Sequence, residues 1–219
     1  MKNAVLRVQG RGEARAEPDL VVLSFQVEAW SMDYAETLEG ISRSVEDLRD
    51  VLGAQGIPRT ALKTVGFGVE TRYRTAKKTG KPIFQGYDAN HALRLELDRS
   101  QDVGAVLRAI SKKAPAVEVR LSFEVRDRRG FRQRLLAAAV EAARENAETI
   151  ARESGVRLGP VLEIEYGWTE VRYSSPFDYR TVSFSPSEAP VPSFEPAEVR
   201  GTESVTVTWA IGSAEVPAG

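Results

Sequence analysis

The chain has no cysteine and a single histidine, His91, among 219 residues. Without thiols there is no disulfide framework, no thiolate nucleophile and no cysteine-held metal. With one imidazole, a paired-histidine mechanism or a multi-histidine metal site is excluded as well. An excess of either charge is also missing, since 30 Lys and Arg stand against 31 Asp and Glu for a formal net charge of -1. No whole-chain field therefore draws the protein to nucleic acid or an anionic membrane, and any polyanion contact has to be local. No apolar run approaches a membrane span, and the opening MKNAVLRVQGRGEARAEP holds no apolar stretch of signal-peptide length. The expectation is no membrane span and, as written, a cytoplasmic chain. What is present is ample, because 42% hydrophobic residues at this length can bury a sizeable core.

Strand patterns open the chain. Leu6, Val8, Gly10, Gly12, Ala14 and Ala16 share one small-residue face, and Arg7, Gln9, Arg11, Glu13 and Arg15 share the charged one. Turn chemistry at Glu17, Pro18 and Asp19 precedes the alternation of Val21, Leu23, Phe25, Val27 and Ala29, which predicts a second strand paired antiparallel with the first. Asp33 and Glu36 read as a capping box ahead of Leu38, Ile41, Val45, Leu48 and Leu52 at helical spacing, with Gly53 and Gly56 as the stop. Val65 to Tyr73 and Phe84 to Leu97 read as a long hairpin with an exposed basic tip at 75–82. Ser100 is the expected N-cap of a short helix carrying Val103, Val106, Leu107 and Ile110. In the strand that follows, Val117, Val119, Leu121, Phe123 and Val125 face a core while Glu118, Arg120, Ser122, Glu124 and Arg126 meet water or a polar neighbour.

A long Ala-rich helix near 130–154 comes next, its apolar stripe formed by Phe131, Leu135, Leu136, Ala139, Val140, Ala143, Ala147, Ile150 and Ala151. Gly155 suits a left-handed C-cap, and Gly159 with Pro160 is expected to end the connection before an apolar strand from Val161. Alanines let a helix axis approach its support more closely than leucines do, so this stripe is assigned to the Gly10, Gly12, Ala14 face of the first strand.

The segments GRGEARAEPDLVVLSFQVEA and GYDANHALRLELD, with the helix ending Gly155-x-x-Leu158-Gly159-x-Val161, resemble the SIMPL-domain family of bacterial proteins. The resemblance runs over about 6–166 and again over the closing strand. It implies an α+β fold of antiparallel sheets packed with about three helices, often assembled into multi-subunit particles, and no established enzymatic site. Bacterial members are mostly exported and loosely linked to stress tolerance, so the periplasm or cell surface is the alternative location. The whole chain, 1–219, is expected to form a single SIMPL-like domain. An aromatic and Pro-rich insertion at about 168–197 interrupts it before a closing strand at about 198–211. Proline at that density blocks helix and central strand, while Trp168, Tyr173, Phe177, Tyr179, Phe184 and Phe194 give the insertion anchors for a loop over its own core or an arm on another subunit.

The search for chemistry is mostly negative. His91 alternates with Ala89, Leu93, Leu95 and Leu97 and reads as a structural histidine. Gly10-x-Gly12 leads into a second strand rather than a helix, which rejects a dinucleotide fingerprint. No carboxylate stands isolated in an apolar setting, so no acid and base pair is expected. Two basic groups remain: Arg72, Arg74, Lys77, Lys78 and Lys81 around the hairpin tip, and Arg126, Arg128, Arg129, Arg132 and Arg134 at the start of the long helix. The second group opposes the helix dipole and calls for an acidic neighbour or subunit. Without a stacking platform or net positive charge, nucleic acid is not the expected partner. The expected function is a non-enzymatic, self-assembling homo-oligomer with no cofactor. The alternative is a small-molecule module with a pocket between sheet and helices near Phe67, Tyr73, Tyr87 and His91.

Overall fold

The computed structural model describes residues 4–77, 79–114, 117–167, 171–176 and 195–213. Among them the chain forms β1 (Val5–Ala16), β2 (Leu20–Ser31), α1 (Tyr34–Ala54), β3 (Lys63–Thr75), β4 (Pro82–Asp98), α2 (Val103–Lys113), β5 (Glu118–Glu124), α3 (Arg128–Glu153), β6 (Val156–Glu165) and β7 (Val199–Ser213). This is an α+β fold with two antiparallel sheets, and the elements fall into two units.

The first unit holds β1, α3, β6 and β7, with strand order β1-β7-β6. The β1 and β7 ladder is unbroken from Val5 opposite Ala210 to Ala16 opposite Val199. Asp127 starts α3 by accepting the Gly130 N–H at 2.8 Å, and Phe131, Leu135, Ala139, Ala143, Ala147 and Ala151, four residues apart, are buried along one line. That line rests on the glycines of β1. A Cβ on Gly10 would fall within the contact distance of the Ala139 oxygen and Ala143 nitrogen, and one on Gly12 would meet the Leu135 oxygen and Ala139 nitrogen. The assignment of this helix to the Gly10 and Gly12 face therefore holds. The stripe is narrower than its sequence suggested, since Val140 and Ile150 are exposed. Gly155 takes the left-handed conformation expected of it, with φ +65°. Gly159 and Pro160, however, lie inside β6 at a register shift instead of ending a connection before it.

The second unit holds β2 to β5 with α1 and α2, in strand order β3-β4-β2-β5. Its core joins Leu23 and Phe25 of β2 to Leu48 and Leu52 of α1, Leu93 and Leu95 of β4, and Leu107 and Ile110 of α2. The expected β1 and β2 pairing is overturned. β2 lies between β4 and β5, because the run Leu20, Val21, Val22, Leu23 is buried throughout and takes a neighbour on each edge, whereas β1 pairs with β7 over its full length. Asp102, not Ser100, caps α2, its carboxylate accepting the Ala105 N–H at 2.9 Å. Asp33 caps α1 as expected, but the return bond of the box passes through Ser31. The Ser31 hydroxyl accepts from Asp33 N–H at 3.1 Å and donates to Glu36 at 2.7 Å. The β3 and β4 hairpin closes at Thr75 opposite Pro82, where the sequence placed its tip.

Gly12→Ala should destabilise the first unit by about 1–3 kcal/mol, because the added methyl meets helix backbone that cannot rotate away. Gly53→Ala, in the last turn of α1 with open space around the new Cβ, should instead gain about 0.5–1 kcal/mol. Urea unfolding followed by circular dichroism distinguishes the two, and equal midpoints would contradict the close approach.

Candidate functional site

Three of the five arginines in the basic run at the start of α3 find partners within their own unit. Arg128 stacks over the Tyr173 ring at 5.6 Å, and Arg134 over the Phe131 ring at 5.5 Å. Arg132 reaches Glu203 of β7 at 3.3 Å and the Tyr166 hydroxyl at 3.0 Å, while Tyr166 donates to the same Glu203 oxygen at 2.6 Å. Glu203 is 2% exposed and stands opposite Gly12, on the sheet face shared by Val199, Val205 and Val207. Its second oxygen, Oε2, is buried without a hydrogen-bond partner among the described residues. The expectation that no carboxylate sits in an apolar setting is thus corrected. The signal was in the alternation of the last strand, where Glu203 occupies an apolar position. The hydrogen bond to Glu203 and then burial raise the Tyr166 phenol above its usual value near 10. At neutral pH the phenol is a fixed donor, and the cluster ties the start of α3 to β7.

His91 finds its partners in the second unit. Its Nε2 lies 2.9 Å from the Thr64 hydroxyl and its ring meets the Phe67 edge at 5.4 Å. Burial and then the Arg49 charge lower its pKa, so the imidazole is neutral near neutral pH. The other residues assigned to a pocket lie along the same sheet side as an aromatic chain. Tyr73 packs on Phe84 at 5.8 Å, Phe84 on Tyr87 at 5.2 Å, and Tyr87 on Tyr34 at 5.4 Å. Phe67 and Tyr73 are more than half exposed.

At the hairpin tip Arg72 pairs with Asp88 at 3.0 Å, and Arg74, Lys77 and Lys81 are exposed. Lys78 lies outside the described residues, as do Trp168, Phe177, Tyr179, Phe184 and Phe194. Tyr173, the described member of that aromatic set, packs against Phe131 at 6.2 Å within its own unit. A surface that sequence reasoning did not single out is β6, where Val161, Leu162 and Ile164 are each about half or more exposed and Tyr166 follows at 40%. Among the described residues no group of three or more His, Asp or Glu side chains could hold a metal ion, and no helix is long and apolar enough to cross a membrane.

The SIMPL family model, described as a protein of unknown function (DUF541), matches residues 6–209. The uncharacterized protein YggE of Edwardsiella ictaluri is 27% identical over 158 residues, covering 72% of this chain and 65% of that protein. The match thus spans slightly under two thirds of that relative's length.

Arg132→Met leaves the Glu203 carboxylate buried beside Tyr166 alone and should lower the midpoint of chemical denaturation, whereas Arg132→Met with Glu203→Met should recover most of the loss. A single-variant loss below the scatter of chemical denaturation would remove the cluster as a structural tie. An absorbance titration should show one tyrosine ionising above the usual value near 10 that disappears in Tyr166→Phe. Because the folded-state pKa is the raised one, the stability linked to Tyr166 is fully present below about 10 and is lost as pH rises through the folded value.

Proposed function

We propose that this chain, which belongs to the SIMPL family, is a non-enzymatic building block that assembles with copies of itself through the β6 side of its first unit. The observation that carries this reading is the uncovered apolar side of β6. By register Val161 lies beside Trp209 and Ile164 beside Val207, so both belong to the face of the sheet on which α3 lies. Trp209 and Val207 are buried, yet Val161 and Ile164 are 49% and 60% exposed, because α3 packs chiefly on β1 and β7. Fully burying a side chain of this size gains about 1.5–3 kcal/mol, and roughly half of that is left unrealised at each position of an isolated chain.

The contact is made by side chains rather than by adding a strand. Pro160 and the register shifts next to it blunt the backbone edge, the usual protection of an edge strand against indiscriminate pairing. The opposite face of the same sheet is polar, with Arg7 bonded to Glu165 across a row of threonines at 202, 206 and 208. A stress-related or envelope setting rests on the family resemblance alone. The small-molecule reading has less support, because Phe67 and Tyr73 stand open to solvent.

Light scattering across a concentration series should give masses that are multiples of 24.1 kDa. Ile164→Lys, which places a charge on the exposed strip without touching the core, should return the monomer, with a melting temperature equal to that of the wild-type chain diluted to its monomeric state. A wild-type chain that is monomeric at every concentration contradicts the reading.

A further inference from the structure

We propose that the distal β3 and β4 ribbon docks the protein on an anionic phospholipid surface. Pairing of β2 with β4 stops at Ser31 opposite Tyr87, so residues 71–75 and 82–86 continue as two strands beyond the four-stranded sheet. The tip is closed by a hydrogen bond from Ala76 N–H to the Lys81 oxygen at 2.9 Å, with Gly80 at φ +66°. The ribbon is therefore held in shape before it meets a partner.

Its two sides differ. Thr71, Tyr73 and Thr75 share a side with Pro82, Phe84 and Tyr87, the continuation of the face that α1 covers lower down. Phe84 and Tyr87 share that side although they are three residues apart, because Gly86, at φ +106°, takes up the extra residue of a bulge and lies too close to the Ser31 oxygen for any side chain. α1 begins only at Tyr34, whose ring ends the aromatic chain, and Tyr73 beyond it is 59% exposed. Tyr34, half exposed, extends this apolar side at the base of the ribbon, whereas Trp30, opposite Asp88 in the register, is on the other side. From Thr71 to Tyr87 the sequence holds five basic residues and no acidic one. Arg74 and Ile83 lie on the other side, and Arg74, Lys77 and Lys81 make no ion pair among the described residues.

Aromatic rings on one side of a ribbon with exposed lysines at its tip match the boundary of a bilayer, where amphipathic rings sit at headgroup depth and the cations reach lipid phosphates. Nucleic acid fits less well. Successive bases stack on a platform of similarly oriented rings, and here neighbouring rings are turned 68° and 71° to one another. The acids Asp33, Glu36, Glu70 and Asp88 lie at the base of the ribbon, which confines the attraction to its distal half.

The test is sedimentation of the full chain with phosphatidylcholine vesicles, with and without phosphatidylglycerol, at low and high salt. Binding should require the anionic lipid and weaken with salt. Each basic side chain is worth about fivefold in partitioning, so Lys77→Gln with Lys81→Gln should bind about 25-fold more weakly. Tyr73→Ser should weaken binding without changing its salt dependence. All three substitutions are at exposed positions, and circular dichroism verifies that the variants fold. Repeating the assay with Ile164→Lys separates this proposal from self-assembly, since that variant should still bind through its ribbon. Equal sedimentation with neutral and anionic vesicles, or tighter binding to a single-stranded oligonucleotide that Lys77→Gln with Lys81→Gln abolishes, would overturn the lipid assignment.

Discussion

The first unit depends on two missing Cβ atoms. Gly10 and Gly12 let the backbone of α3 settle directly on β1, and the alanines at 139, 143 and 147 keep the helix at that distance along its length. A helix seated this closely gains dispersion contacts from main-chain atoms on both sides, but its reach is short. Strands are spaced about 4.8 Å apart and a helix is about 10 Å wide, so one helix covers two strands of a three-stranded sheet and not the third. β1 and β7 are covered, and β6 is covered only near Leu158 and left open from Val161 on. The exposed strip of Val161, Leu162 and Ile164 is thus a consequence of the close approach, and the surface proposed for assembly follows from it.

The Arg132, Glu203 and Tyr166 cluster fixes the other end of the same contact. Glu203 stands where the small-residue face of β1 offers Gly12 as its neighbour, and the space beside it is closed by Arg132 from α3 and Tyr166 just past β6. An apolar seam of glycine against alanine is permissive about sliding, because its contacts change little with a shift along the axis. A buried carboxylate bonded to two partners is not, since displacement would strand it in a medium that penalises charge. Packing therefore sets the distance between helix and sheet, and the cluster sets the register.

Much of this was legible in the residues themselves. The alanine stripe and the Gly10 and Gly12 face could be matched because both are periodic and both are small, and Asp33, Gly155 and the 75–82 tip announced their turns by chemistry that acts within a few residues. What failed was long range. Nothing local in β1 distinguishes β2 from β7 as its partner, and the difference lies in the first four residues of β2, Leu20 to Leu23, which are buried on both faces. Ser100 and Asp102 are both good caps, and only the geometry of the approach to α2 selects the carboxylate. Glu203 could have been found, because it occupies an apolar position of an otherwise regular strand. Its partners, 71 and 37 residues away, could not. The open side of β6 was invisible for a different reason. It depends on where a helix stops in space, which alternation along one strand does not encode.

The two proposed surfaces use different physics. The β6 strip is apolar and uncovered by its own helix, whereas the ribbon presents cations and aromatic rings beyond the edge of its sheet. A chain that gathers copies through one and meets an anionic surface through the other would gain in surface affinity with each added copy, without any new contact. The central claim, that α3 leaves β6 for another molecule to cover, is tested most directly by amide hydrogen exchange at rising protein concentration. The account predicts that peptides spanning 156–166 gain protection as concentration increases while those of α3 and β1 do not change. Exchange in 156–166 that is indifferent to concentration would contradict it.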